Sequence, residues 1–169
     1  MSEDTKVALV VGGGRGMGAG IARELAARGY RLGLMSPSES CERLAAELDG
    51  VAHRGSAAAA ADLQAVFDAT MARWGRIDAL VNHTGGPPKG DLLSIDDDGW
   101  MRGNDLVVMS VVRMCRLVTP VMERQGKGAI LTITTFSAFE PSLTFPVSSV
   151  YRAGIGAFTK LYADRYAAA

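Results

Sequence analysis

Gly12, Gly14, Gly16 and Gly18 alternate through Val11-Gly12-Gly13-Gly14-Arg15-Gly16-Met17-Gly18, directly after the apolar run at residues 6–11. Without side chains, the backbone N–H groups of such a loop, and the positive end of a helix behind it, can approach a pyrophosphate. The spacing points to nucleotide binding, because a strand precedes the glycines and a helical pattern follows them. The other chemically capable residues carry blander readings. His53 and His83 have no carboxylate neighbour in sequence and read as structural. Asp96-Asp97-Asp98 sits near a helix start, where it complements the helix dipole rather than a metal. Cys41 and Cys115 show no CxxC spacing, so neither a disulfide framework nor a metal site is expected.

Short apolar runs at residues 6–11, 31–35, 51–53, 79–81 and 129–134 read as strands buried on both faces. Helical patterns lie between them. Residues 16–28 carry Ile21 and Leu25 at helical spacing and stop at Gly29. Ser36-Pro37-Ser38-Glu39 resembles an N-cap, with Pro at the first helical position, of a helix running to residue 48. The alanine-rich residues 57–74, closed by Gly75, form the third helix, with the five alanines 57–61 inside it. Residues 91–125 carry a capping pattern at Ser94 and Asp97 and then a long apolar helix in which Gly103 allows a bend. Residues 135–147 are a Phe- and Pro-bearing loop, and 148–166 a final helix.

Strands alternating with helices predict an α/β fold, a doubly wound parallel sheet of Rossmann-like type, in one dinucleotide-binding domain over residues 1–169. Ligands of such sheets bind beyond the carboxyl ends of the strands, here near Gly12 to Gly18, Ser36, Asn82 to Gly85 and residues 134–136. A composition of 48% hydrophobic and 21% charged residues, with 18 basic residues balancing 18 acidic ones, excludes a disordered chain. A formal net charge of zero gives no general attraction to nucleic acid or an anionic membrane. No apolar stretch is long enough to cross a bilayer. Polar residues 1–6 run straight into a strand, so no signal peptide is expected and the cytoplasm is the expected location.

The loop is similar to the TGxxxGxG of the short-chain dehydrogenase/reductase family, with Val11 in place of the leading Thr. The resemblance continues through Gly75-Arg76-Ile77-Asp78-Ala79-Leu80-Val81-Asn82-His83-Thr84-Gly85, close to GRIDxLVNNAG, and through residues 128–135. In style it resembles the 3-oxoacyl-[acyl-carrier-protein] reductase branch. It implies an oxidoreductase reducing a small-molecule carbonyl substrate, 3-oxoacyl-like or another ketone, by hydride transfer from a nicotinamide cofactor. The cofactor-binding residues implied are Gly12, Gly14, Arg15, Gly16, Met17, Gly18, Ser36, Asn82, Thr84 and Gly85. An Asp or Glu about 20 residues past the loop would bind ribose hydroxyls and repel a 2′-phosphate. Ser36 occupies that place, and Arg15 adds positive charge, so NADP(H) is expected over NAD(H). The plainer alternative has Ser36 capping its helix and Arg15 simply solvated. Where the family has an Asp beside adenine, this chain has Ser56-Ala57.

The family's catalytic Asn, Ser, Tyr and Lys fall at Val107, Thr135, Ser148 and Arg152. A serine hydroxyl is a far poorer acid than a phenol, and Arg cannot deprotonate to shuttle protons. The standard mechanism therefore does not carry over. Ser148 and Arg152 still share a helix face, with Tyr151 beside them as a candidate substitute donor. The second reading is a nucleotide-binding relative without reductase activity, regulatory or structural. Complete family members continue with further strands and a substrate-covering segment, which this chain is expected to lack, leaving its fifth strand as an edge. A homo-oligomer is expected through the helices at residues 94–125 and 148–166. Phe136, Phe139, Phe145 and Pro146 could line an apolar substrate mouth.

Overall fold

A computed structural model describes residues 5–168, so most of the leader reading at residues 1–6 lies outside the described residues. Strands β1 (Val7–Val11), β2 (Arg31–Ser36), β3 (Val51–Arg54), β4 (Ala79–Asn82) and β5 (Ala129–Thr132) form one sheet in the order β3-β2-β1-β4-β5. All four pairings are parallel, with Val11 opposite Met35 and Asn82, and Asn82 opposite Thr132. The crossovers are the helices α1 (Gly16–Ala27), α2 (Ser40–Glu47), α3 (Ala60–Trp74), α4 (Asp97–Asn104) and α5 (Ser110–Gln125). Helix α6 (Pro146–Tyr166) follows β5.

The continuous apolar run in β1 is explained by burial on both faces. Leu9 and Val11 pack with Leu63, Val66, Met114 and Val118 from α3 and α5, whereas Ala8 and Val10 pack with Ala22, Leu34, Cys41 and Leu44 on the α1 and α2 side. Chain order reverses at β1, where the connections pass to the opposite direction across the sheet. A crevice opens there beyond the carboxyl ends of β1 and β4.

Three local expectations are corrected. Ser36 is the last residue of β2 rather than a helix cap, and α2 starts only at Ser40, after Glu39, with no side-chain cap. The Ser36 hydroxyl instead donates to the Ser38 carbonyl at 3.0 Å. Ala57 to Ala59 lie before α3, because the Ser56 hydroxyl accepts from the Ala58 N–H and holds a turn. The cap of α4 is Asp96, which accepts from the Gly99 N–H at 2.8 Å, rather than Ser94. After Gly103 the helix widens into a π-helical segment, Asp105–Met109, before α5. Ser110 donates to the Leu106 carbonyl at 2.7 Å across that widening.

Asp78 ties the sheet together at its amino-terminal end. It is nearly buried and accepts from the Val7 N–H at 2.8 Å and from the Arg76 guanidinium at 2.7 and 2.9 Å. Burial alone would raise its pKa, but the Arg76 and Val7 hydrogen bonds outweigh it and hold the carboxyl below its usual value. A depressed folded-state pKa adds stability above the unfolded value of about 3.9, and that stability is lost as pH falls through the folded value. Asp78→Asn is therefore expected to cost about 1–3 kcal/mol at neutral pH and to flatten the acid limb of stability against pH. Urea denaturation at several pH values checks this; an unchanged acid limb would refute it.

Candidate active site

The glycine loop connects β1 to α1 at the crevice. Gly12 has φ +78°, a left-handed conformation that side chains disfavour, and a Cβ there would collide with the His83 carbonyl. A Cβ on Gly18 would collide with the Gly12 carbonyl, so both residues let α1 and β4 close onto the loop. Helix α1 begins at Gly16 with no acidic residue in its first turn and no side-chain cap, leaving its N-terminal N–H groups for an anion.

Hydroxyls gather where the adenosine end of a dinucleotide would lie. A Cβ on Gly14 would meet the hydroxyls of both Ser36 and Ser40, and Ser38 and Ser40 share a hydrogen bond of 2.7 Å. Arg54 stands opposite Ser36 in the β2–β3 register, and Arg15 is exposed in the loop itself. Glu39, the acidic residue nearest this end of β2, pairs with Arg43 at 3.3 Å. Ser38, Ser40 and Arg54 were not foreseen, since pairing of β2 with β3 has no signature in either segment alone. At the missing adenine-side Asp, the Ser56 N–H bonds Asp62 of α3, which also bonds His53 Nε2 at 2.9 Å.

A cleft of about 340 Å³ opens at the other end of the loop. Met17, His83, Thr84, Thr135, Ser148 and Arg152 line it, together with Ser137, Lys89 and an apolar wall of Pro87, Pro88, Phe136 and Phe145. Arg152 crosses its floor. Its Nε donates to the Ser148 hydroxyl at 3.2 Å, and its two terminal nitrogens donate to the carbonyls of Ile133 at 3.0 Å and Gly85 at 3.3 Å. Burial lowers the guanidinium pKa, yet an arginine stays charged. Ser149 fixes the approach to α6 by donating to the Phe145 carbonyl and accepting from the Ser142 N–H.

Thr135 and Ser148 thus reach one cleft with Arg152, but Tyr151 does not. Its hydroxyl donates to the Trp100 carbonyl at 3.0 Å, and its ring meets Trp100 edge-on. Three residues along a helix leave a side chain about 60° off the starting direction, enough to turn Tyr151 toward α4. Val107 is buried against Val111, Cys115 and Ile155 and brings no polar group. Phe139 is exposed outside the cleft lining, while Phe136 and Phe145 belong to it.

His83 was read as structural, yet it lines the cleft. Its Nδ1 is buried without a hydrogen-bond partner, as are both polar side-chain atoms of neighbouring Asn82. The place of His83 at the end of β4 already sets it beside a cofactor, and the groups that share the cleft with it come from the glycine loop, the segment after β5 and α6. A second, larger groove of about 480 Å³ lies between α5, β5 and α6. Its Cys115 thiol is pushed up to about 12 by burial, and the groove shares no lining residue with the cleft. Among the described residues there is no group of three or more His, Cys, Asp or Glu side chains that could hold a metal ion, and no helix is long and apolar enough to cross a membrane.

A parallel sheet with a glycine loop at its switch point and a hydroxyl-and-cation cleft beside it defines an open α/β fold of the dinucleotide-binding type. The family model of the short chain dehydrogenases matches residues 6–169, and the chain belongs to that family. It is 38% identical over 141 residues to D-threitol dehydrogenase of Mycolicibacterium smegmatis, covering 80% of this chain and 54% of that protein. Among solved structures it superposes on L-sorbose reductase of Gluconobacter frateurii, complexed with NADPH and L-sorbose, with TM-score 0.87 and 26% identity. That match covers 95% of this chain and 64% of the other. A 7α-hydroxysteroid dehydrogenase complexed with NADH and a 7-oxo bile acid matches with TM-score 0.88 and 26% identity, over 97% and 66% of the two chains. The chain thus spans about half to two thirds of the length of these relatives.

Proposed function

We propose that this chain is the dinucleotide-binding part of an NADP(H)-dependent oxidoreductase that reduces the carbonyl of a small molecule, 3-oxoacyl-like or another ketone. The observation that carries this reading is the Arg152–Ser148 pair facing Thr135 in a cleft that opens from the glycine loop. The residues fit the cofactor. Gly12 and Gly18 leave a cradle that a Cβ would fill, and Asn82 and His83 present buried polar atoms without partners beside it. Gly12, Gly14, Gly16, Met17 and Gly18 would hold the diphosphate side, Ser36 and Arg15 a 2′-phosphate, and Asn82, Thr84 and Gly85 the nicotinamide side. Bound there, the cofactor supplies the hydride.

The chain's own residues supply the rest. Because Ser148 accepts from Arg152, its own O–H is left to donate to a substrate carbonyl, with the guanidinium charge behind it. The Thr135 hydroxyl has no partner among the described residues and is a second donor. Neither hydroxyl is acidic enough to release its proton, so the product proton comes from water in the open cleft. A cytoplasmic location belongs to the same proposal. So does a homo-oligomer through the helices over residues 94–125 and 148–166, supported by the exposed apolar side chains of Met101, Val150 and Leu161.

One observation favours the other reading, a nucleotide-binding protein without reductase activity. All three nitrogens of the Arg152 fork already bond the protein, which suits a structural clamp as well as a polarising cation. Cofactor binding is tested by fluorescence titration with NADPH and, separately, NADH. NADPH is expected to bind at least about tenfold more tightly, a difference of 1.4 kcal/mol. Equal affinities would remove Arg15 and Ser36 from a 2′-phosphate site, and binding of neither would end both readings.

A further inference from the structure

Two cations line the cleft, Lys89 and Arg152, and no Asp or Glu lines it among the described residues. Arg152 gives three of its five N–H donors to protein oxygens. Lys89 spends none of its own: its contact is the face of Phe145, with Nζ 5.0 Å from the ring centroid. Pro87 and Pro88 immediately precede it, and their fixed φ angles hold the chain that delivers the ammonium to the mouth. Met17 is the glycine-loop residue that reaches the cleft, and Arg15 does not line it.

We propose that Lys89 is an anion-recognition point for the substrate and that the cleft takes carbonyl compounds carrying a carboxylate or comparable anion on a short apolar spacer. This rests on the reductase reading and deepens it. Ser148 and Thr135 address the carbonyl, the Phe136–Phe145 wall covers the spacer, and Lys89, held over Phe145, meets the anion at the rim. A neutral ketone leaves the ammonium with nothing beyond the ring and water. An anionic one gains an ion pair that is screened by solvent and therefore weakened by salt.

Levulinate, a keto acid, and its neutral methyl ester are suitable probes. Their binding to the protein saturated with NADPH is measured by calorimetry, and their reduction is followed alongside. Levulinate is expected to bind about fivefold more tightly than the ester at low salt, with the preference shrinking as salt rises. Lys89→Gln should abolish the preference, Lys89→Glu should invert it, and Lys89→Arg should retain it. NADPH affinity should be unchanged in all three variants. Equal binding of acid and ester by the unaltered protein overturns the proposal. So does a loss of NADPH affinity in Lys89→Gln, which would assign the lysine to the cofactor phosphates. Binding that discriminates the two probes without any reduction would leave the anion site standing and refute the reductase reading instead.

Discussion

Gly18→Ala is expected to lower dinucleotide affinity by about ten- to a hundredfold, whereas Gly20→Ala two positions on leaves it unchanged. The contrast follows from what the added methyl meets. At Gly18 it would collide with the Gly12 carbonyl in the loop's first turn, while at Gly20 it meets no atom within 4 Å. Backbone cannot yield as the end of a flexible side chain can, so α1 or the loop must move. Overpacking of this kind costs about 1–3 kcal/mol, and about 1.4 kcal/mol is a tenfold change in affinity. Both residues lie in α1, where alanine is intrinsically favoured over glycine, so propensity alone would make both variants slightly more stable. Circular dichroism with an NADPH titration separates loss of the cradle from loss of the fold. Equal affinities in the two variants would contradict the cradle.

Arg152→Ala is expected to be the most damaging change in the cleft. It strips the Ile133 and Gly85 carbonyls and the Ser148 hydroxyl of their donor at once. An unsatisfied buried acceptor costs about 1–3 kcal/mol, so the variant should unfold at clearly lower denaturant concentration. Carbonyl reduction should fall by about a hundred- to a thousandfold, the usual effect of losing a preorganised stabiliser of developing negative charge. Arg152→Lys separates these roles. It keeps the charge but not the planar fork, so it should recover part of the activity and less of the stability. A stability loss with reduction untouched would make Arg152 a clamp alone.

Much of the fold was legible because burial on both faces writes itself into a strand as an unbroken apolar run. β1 and β4 could be placed within a residue, and the glycine loop after β1 needed no tertiary information. The start of α2 was hidden because Ser36-Pro37-Ser38-Glu39 satisfies a capping pattern, while pairing with β3 carries β2 on through Ser36. The three alanines before α3 have high helix propensity, yet Ser56 holds them in a turn, its hydroxyl accepting from the Ala58 N–H and its carbonyl from the Ala59 N–H. In the site, the face shared by Ser148 and Arg152 followed from helical spacing. Tyr151 was displaced by an aromatic partner on α4, far away in sequence. Lys89 stayed hidden for the same reason, since the cleft that exposes it is assembled from four separate segments.

The most direct test of the central claim is NADPH oxidation by the purified chain in the presence of a ketone, followed through the nicotinamide absorbance and by identification of the alcohol formed. The expected result is stoichiometric conversion of ketone to alcohol that is lost in Arg152→Ala and insensitive to Gly20→Ala. Tight NADPH binding with no alcohol formed from neutral or anionic ketones would contradict the reductase reading. The cleft would then be that of a nucleotide-binding protein without redox chemistry.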